Sequence, residues 1–141
     1  KNLMSYVFSA ALQSAVYRQL SSDPAVAARV GTAIYDAPLQ GMTDGKTYFV
    51  TLGDEVVKPF GSKTSEGGIH EFDVTIHSTR DGFAGAKGIA EAICSALIDA
   101  HLDVGEDRIV SLRLLRAKTE RGRSPVKRLI TLRFRAVIDG V

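Results

Sequence analysis

A glycine-rich segment is the first place in this sequence where residue types and spacing suggest chemistry. It reads Gly82-Phe-Ala-Gly-Ala-Lys-Gly88. Glycines and a lysine at the start of a helix can hold a phosphate group. The spacing departs from the phosphate-binding loop Gly-x-x-x-x-Gly-Lys-Ser/Thr, because Lys87 is followed by Gly88. We therefore expect these glycines to allow close helix packing rather than nucleotide binding.

The three histidines do not have the spacing of a metal site. His70 and His77 are seven residues apart in a predicted strand, which places them on opposite faces. His101 follows a predicted helix, and no carboxylate or cysteine completes a ligand set by local spacing. We predict polar strand and surface residues here, with no metal.

The sequence also contains no motif for nucleophilic or acid–base catalysis. Cys94 is the only cysteine, so an internal disulfide is excluded and a reducing compartment is favoured. It lies in the apolar stripe of a predicted helix, where a small buried residue is the usual role. There is no Gly-x-Ser-x-Gly segment and no convincing acid pair. We predict no catalytic residue, no cofactor and no enzyme activity.

Basic residues are concentrated in the last third of the chain. From Arg108 onward there are ten basic and two acidic residues, which gives this part of the chain a formal charge of +8. Because the net charge of the chain is +2, the remainder carries −6. Such segregation suits nucleic acid or the docking of one subunit on the next, although a solvated strand face is the plain alternative. Stacking aromatics that favour nucleic acid are missing, since only Phe134 is near and it points inward. The candidate interface residues are Arg113, Arg116, Arg121, Arg123, Lys127, Arg128, Arg133 and Arg135.

The element that positions these arginines is a predicted hairpin. Its strands run from Arg108 to Lys118 and from Leu129 to Ile138, with residues 119–128 between them. Strand alternation predicts an inner face and an outer face. The inner face is formed by Val110, Leu112 and Leu114 of the first strand and by Ile130, Leu132, Phe134, Ala136 and Ile138 of the second. The outer face carries Ser111, Arg113, Thr131, Arg133 and Arg135.

Helices upstream are predicted to cover the inner face. Ser5 is a candidate N-cap for an amphipathic helix that ends near Leu20. Asp23 is expected to cap a short second helix that has Pro24 at its first position and ends at Gly31. A second long helix is predicted after a cap at Asp81; its apolar stripe runs from Phe83 to Leu97, with His101 as an optional extension, and it ends near Asp99.

Three further strands are predicted, over residues 32–35, 47–52 and 69–78. In the last of these, His70, Phe72, Val74 and Ile76 alternate with Glu71, Asp73, Thr75 and His77. A polar loop is expected over residues 36–45. The stretch from Gly53 to Gly68 is predicted to be an exposed, mobile loop, although residues 55–58 could extend the preceding strand.

These elements indicate an α+β fold, with a mostly antiparallel or mixed sheet of about four to five strands and two main helices packed on one face. With 141 residues, 45% of them hydrophobic, we expect a single domain over residues 1–141. No run is long enough to span a membrane. The apolar stretch from Leu3 to Leu12 is expected to begin the first helix, the alternative being a secretory signal.

Short motifs along the whole chain are shared with one family. The motifs are Met4-Ser-Tyr, residues 9–13 and 15–17, Asp23-Pro24, Val30-Gly31, residues 34–38, 48–50, Leu52-Gly53, Lys63-Thr64, Gly67, His70, Arg80, residues 82–87, Leu112-Arg113, Arg116 and residues 132–136. On these motifs the sequence is similar to the small tail-terminator (tail-completion) proteins of long-tailed phages, and most similar to those of alphaproteobacterial gene transfer agents. One departure is His77, where relatives often carry tryptophan near the end of the strand.

The resemblance implies a structural virion protein. Relatives form hexameric rings that cap the tail tube, stop its polymerisation and provide the joint to a DNA-filled head. The implied partners are other copies of the chain, the tail tube protein and a head–tail connector or stopper protein, with passing contact to packaged DNA and no membrane. The implied location is the neck of the particle, after assembly in the bacterial cytoplasm. The candidate contact residues for tube or connector are Glu55, Lys58, Phe60, Lys63 and Glu66.

Two other functions compete with this interpretation. Another neck component, such as a head-completion or stopper protein, would share the composition and the small size. A DNA-binding domain would use the basic hairpin, and its affinity would fall steeply with salt. From the sequence, the arginines of the hairpin suit either a subunit interface or a DNA channel.

Overall fold

The computed structural model describes residues 8–36, 46–59, 67–105 and 108–139. These residues form three helices and five strands. The helices are α1 (Ser9–Ser22), α2 (Pro24–Val30) and α3 (Ala84–Leu97), and the strands are β1 (Ile34–Tyr35), β2 (Tyr48–Pro59), β3 (Gly68–Ser78), β4 (Arg108–Arg121) and β5 (Arg128–Asp139).

The strands form one mixed sheet in the order β1-β2-β3-β5-β4. Only the β1–β2 pair is parallel, and the other three pairs are antiparallel. The helices pack against one face of this sheet, which we call the helix face, and the opposite face is called the open face. The predicted α+β class, with a mixed sheet and helices on one face, is confirmed.

The core lies between the helices and the helix face. Strand β3 alternates buried and half-buried residues along its whole length, as its sequence predicts. Strand β5 does the same from Leu129 to Ile138, with Leu132, Phe134 and Ala136 almost fully buried. From the helices, Leu12, Leu20, Ile93 and Leu97 fill the space above them. Burial of these side chains is the main stabilising term of the fold.

The short helix α2 has the ends that its sequence predicts. Asp23 accepts a hydrogen bond from the backbone N–H of Val26 at 3.0 Å, and Pro24 occupies the first turn. Gly31 ends the helix with a φ of 58°, a conformation that residues with a Cβ rarely adopt. Residue Ser5 and most of the predicted loop over residues 36–45 lie outside the described residues.

The prediction for the start of α3 is wrong. Phe83 occupies the N-cap position, and no side chain caps the helix. Asp81 instead forms an ion pair with Lys127 at 3.3 Å. The optional extension of the apolar stripe to His101 also fails, because α3 ends at Leu97 and His101 is exposed.

The predicted loop from Gly53 is wrong over its first part, because β2 continues to Pro59 and pairs with β3 throughout. The alternative that residues 55–58 extend the preceding strand is confirmed. The pairing register shifts between Gly53 and Glu55, so Asp54 is an extra residue that forms a β-bulge. The segment resembled a loop because of Pro59, the glycines at positions 61, 67 and 68, and the polar residues 62–65. Residues 60–66 lie outside the described residues.

The C-terminal hairpin is longer than predicted, since β4 reaches Arg121 and β5 begins at Arg128. Leu112 is buried as expected, but Leu114 is 36% exposed although it faces Phe134. Two register shifts lie in β4, and the second falls between Leu114 and Arg116. Strand β4 is at the edge of the sheet formed by the described strands, with β5 as its neighbour, and from residue 113 onward its side chains are exposed.

Candidate assembly surface

The glycine-rich segment is a packing site. A Cβ on Gly85 would lie 1.8 Å from the hydroxyl oxygen of Tyr48, and one on Gly88 would lie 2.6 Å from a guanidinium nitrogen of Arg29. Both glycines therefore let a side chain from another element approach the α3 backbone. The expectation of close helix packing is confirmed.

His70 is fully buried on the helix face and is held by a carboxylate. Its Nδ1 lies 3.1 Å from Oε2 of Glu55, while the hydroxyl of Ser9 donates to the other oxygen of Glu55. Burial raises the pKa of Glu55, but the hydrogen bonds from His70 and Ser9 outweigh it, so the pKa is lowered overall. Ser9 bonds to the carboxylate rather than to the imidazole, so the three residues lack the order of a nucleophile–base relay.

His77 lies on the open face within an aromatic cluster. Its ring stacks on that of Phe49 with the centroids 4.4 Å apart, and the ring of Tyr35 is tilted against Phe49 with the centroids 6.3 Å apart. Nε2 of His77 is 2.9 Å from the hydroxyl oxygen of Thr51. Burial lowers the pKa of His77 to about 4, so the ring is neutral at physiological pH.

The described residues contain neither a group of metal ligands nor a reactive thiol. They contain no group of three or more His, Cys, Asp or Glu side chains that could hold a metal ion. Cys94 is half-buried, and burial raises the pKa of its thiol, which keeps it protonated and unreactive.

Four of the candidate arginines share the open face. The register places Arg113 opposite Arg135 and Arg116 opposite Arg133. Arg133 is already held within the chain, because its Nε and a terminal nitrogen reach the two oxygens of Asp73 at 2.8 and 3.2 Å. The hydrogen bonds and the charge of Asp73 raise the pKa of the Arg133 guanidinium above its usual value. Among the described residues, Arg113, Arg116 and Arg135 have no ion pair.

The other candidate basic residues lie elsewhere. Lys127 pairs with Asp81, and the guanidinium of Arg128 lies 5.2 Å from the ring centre of Phe83. Arg121 and Arg123 are exposed at the end of the hairpin. The structure therefore divides the predicted set into residues held within the chain and residues available for contact.

The candidate contact loop is divided in the same way. Glu55 and Lys58 lie on β2. The carboxylate of Glu55 contacts His70, and Nζ of Lys58 lies 3.8 Å from Oε2 of Glu71. Phe60, Lys63 and Glu66 lie outside the described residues.

Sequence reasoning missed a depression next to the β2 bulge. A cavity of about 250 Å³ opens between α1 and the sheet, lined by Leu12, Val16, Leu52, Phe72 and the acidic residues Asp36, Asp54, Glu55 and Asp73. Two shallower hollows adjoin it and share Leu52. The only sequence signal is the pair Gly53-Asp54 after an apolar strand.

The comparison with known families decides the class of the protein. A family described as tail completion protein gp17 matches residues 14–139. The chain belongs to this family. The resemblance of the sequence to tail-completion proteins is therefore confirmed.

A solved structure gives the same result for this tail-completion protein. The structure is described as the virion of a native gene transfer agent (GTA) particle, and one of its chains is 42% identical to this one, with a TM-score of 0.84. The similarity covers 96% of this chain and 100% of that chain. No curated protein matches the sequence. Within the described residues, no helix is long and apolar enough to cross a membrane.

Proposed function

We propose that this protein is a tail terminator: a ring subunit that caps the tail tube, stops its polymerisation and joins the tail to the DNA-filled head of a phage-like particle. The observation that carries the proposal is the end-to-end similarity to a chain of a gene transfer agent virion, at 42% identity. Membership of a tail-completion family agrees with it. The role is structural and requires no catalysis.

The proposed partners follow from this role. They are further copies of the chain in a hexameric ring, the tail tube protein on one side, and a connector or stopper protein on the other. Packaged DNA passes through the centre of the ring. The protein would be assembled in the bacterial cytoplasm and reside at the top of the tail.

The charge distribution supports a ring. A contact between two different surfaces, repeated around an axis, closes a ring, and opposite charges on the two surfaces set its register. The last third of the chain has a balance of +8 and the remainder −6. An isolated subunit would keep this asymmetry exposed, whereas ring neighbours would neutralise it.

The test is imaging of particles produced without the protein. Tails that are overlong or lack heads are expected, and the wild-type gene supplied in trans should restore normal particles. Normal tails joined to heads in its absence would overturn the proposal. A regular tail with a head that leaks DNA would favour the neighbouring function of a stopper protein.

A further inference from the structure

The depression beside the β2 bulge has the shape and chemistry of a receptor for side chains. Its floor is apolar, formed by Leu12, Val16 and Phe72, and acidic residues lie around it. At about 250 Å³ it is smaller than the ~300–1,000 Å³ of sites for drug-sized ligands. One or two side chains of a protein partner match it better than a small molecule does.

Its acidic residues differ in what they already bind. Asp73 is paired with Arg133, Glu55 holds His70, and the amide of Gln13 donates to Asp36. Asp54, the extra residue of the bulge, is exposed and has no ion pair among the described residues. Its charge acts on nearby Arg133 without a direct ion pair. Of the carboxylates at this depression, that of Asp54 is therefore the least engaged within the chain and the most accessible to a basic partner.

The depression also adjoins an unpaired strand edge. Within residues 8–36 and 46–59, strand β1 pairs with β2 at Val50 and Thr51. In the described part of the chain, the outer edge of β2 beyond Thr51 has no neighbouring strand. Unpaired edges of this kind are usually covered in natural proteins.

The opposite edge of the sheet carries a complementary feature. At the second bulge of β4, Leu114 and Leu115 are 36% and 46% exposed. Arg113 and Arg116 flank them, are exposed, and have no ion pair among the described residues. Adjacent exposed leucines on a long edge strand are an aggregation hazard unless a partner covers them.

We propose that the β4 bulge of one copy, Arg113 to Arg116, docks on the β2 depression of a second copy. The leucines would meet the apolar floor, and Arg116 would pair with Asp54. The charge of each surface favours this occupant, since the hairpin is basic and the depression is acidic. Because the two surfaces lie at opposite edges of the sheet, the contact is heterologous and can propagate around a ring. This inference rests on the proposed function, and it names the surface by which the ring forms.

The test is a charge swap measured in particles from a strain that lacks the wild-type gene. Arg116→Asp and Asp54→Arg should each lower the yield of complete particles about tenfold, because each places like charges at the contact. The double variant R116D/D54R should restore the yield to within about threefold of wild type, since it rebuilds the pair in reverse. Arg80→Asp, an exposed arginine elsewhere with the same charge change, should behave as wild type.

Circular dichroism and thermal unfolding of each purified variant show whether it is folded. A cross-link provides a second measurement: with Cys94→Ala as background, Leu115→Cys and Asp54→Cys in one chain should give a ladder of covalent oligomers from oxidised particles, and either cysteine alone should not.

Three results would overturn the inference. They are folded single variants that assemble as wild type, a double variant no better than the singles, and a defect confined to R116D in which particles are complete but transfer no DNA. The last would assign Arg116 to DNA contact. Failure of the proposed function is distinguished separately, because particles lacking the protein altogether would then have normal necks and tails.

Discussion

Individual arginines of the hairpin have different roles despite their similar sequence context. Arg133 and Arg135 lie on the same face of β5, but among the described residues Arg133 pairs with a carboxylate and Arg135 does not. Arg135 lies opposite Glu71 in the register, without an ion pair between them. A charge reversal at Arg133 would therefore disturb both the fold and any interface, whereas Arg135 reports on the interface alone.

We predict that Arg133→Ala lowers the free energy of unfolding by about 1 kcal/mol, because it removes two charge-assisted hydrogen bonds at a partly exposed site. The matched variant Arg135→Ala should change it by less than about 0.5 kcal/mol. Urea unfolding of the two variants measures the difference. Equal losses would mean that the pair with Asp73 does not stabilise the fold.

His77 makes stability depend on pH. Burial lowers the pKa of folded His77 to about 4, against 6.5 for an unperturbed side chain. Above pH 6.5 both states are neutral and the full stability is present. As pH falls from 6.5 towards 4, the unfolded chain binds a proton that the folded chain rejects, so stability decreases. The ring is partly exposed, which limits the expected loss to about 1 to 2 kcal/mol.

The check is denaturant unfolding at several pH values for the wild type and His77→Phe, which keeps an aromatic ring against Phe49. The variant should lose most of the decline between pH 6.5 and 4. An unchanged decline would assign the effect to another group.

At the scale of elements, the ends and bulges of the strands and helices determine which surfaces are available. The cap of α2 is local and strong: Asp23 bonds to Val26, and Gly31 ends the helix. The bulges in β2 and β4 are set by cross-strand pairing, and they create the depression and the exposed leucines. Small irregularities therefore shape the two edges of an otherwise regular sheet.

Asp23→Ala should destabilise the protein by about 1 kcal/mol, because it leaves the N–H of Val26 without its acceptor. Asp23→Asn retains an acceptor oxygen and should remain close to wild type. Thermal unfolding of both variants provides the measurement. Similar losses in the two would indicate that the charge at the helix start matters more than the hydrogen bond.

At the scale of the whole molecule, charge is divided between the two ends of the sequence and also between the edges of the sheet. Strand β4 and the hairpin end supply arginines, while the bulge of β2 supplies acidic groups. Within one chain these regions lie on opposite edges of the sheet, so the proposed contact between two copies is where they would meet.

We expect oligomers of the purified protein to dissociate as salt rises from about 50 to 500 mM, since screening weakens contacts between exposed charges. Light scattering gives the mass, and circular dichroism shows whether the fold is kept. Oligomers that grow more stable with salt would mean that apolar contact dominates. Steeply salt-sensitive binding to duplex DNA by a protein that remains monomeric would favour the DNA-binding alternative.

The sequence by itself determined the α+β class, the buried faces of β3 and β5, the cap of α2 and the family. These features follow from local periodicity, local hydrogen bonds and motifs spread along the chain. Only the tertiary structure decided which arginines are already paired, that Glu55 and Lys58 lie on a strand, and where the depression forms. The physical reason is that a bulge or an ion pair depends on the residue opposite in a neighbouring strand, which spacing along one strand does not reveal.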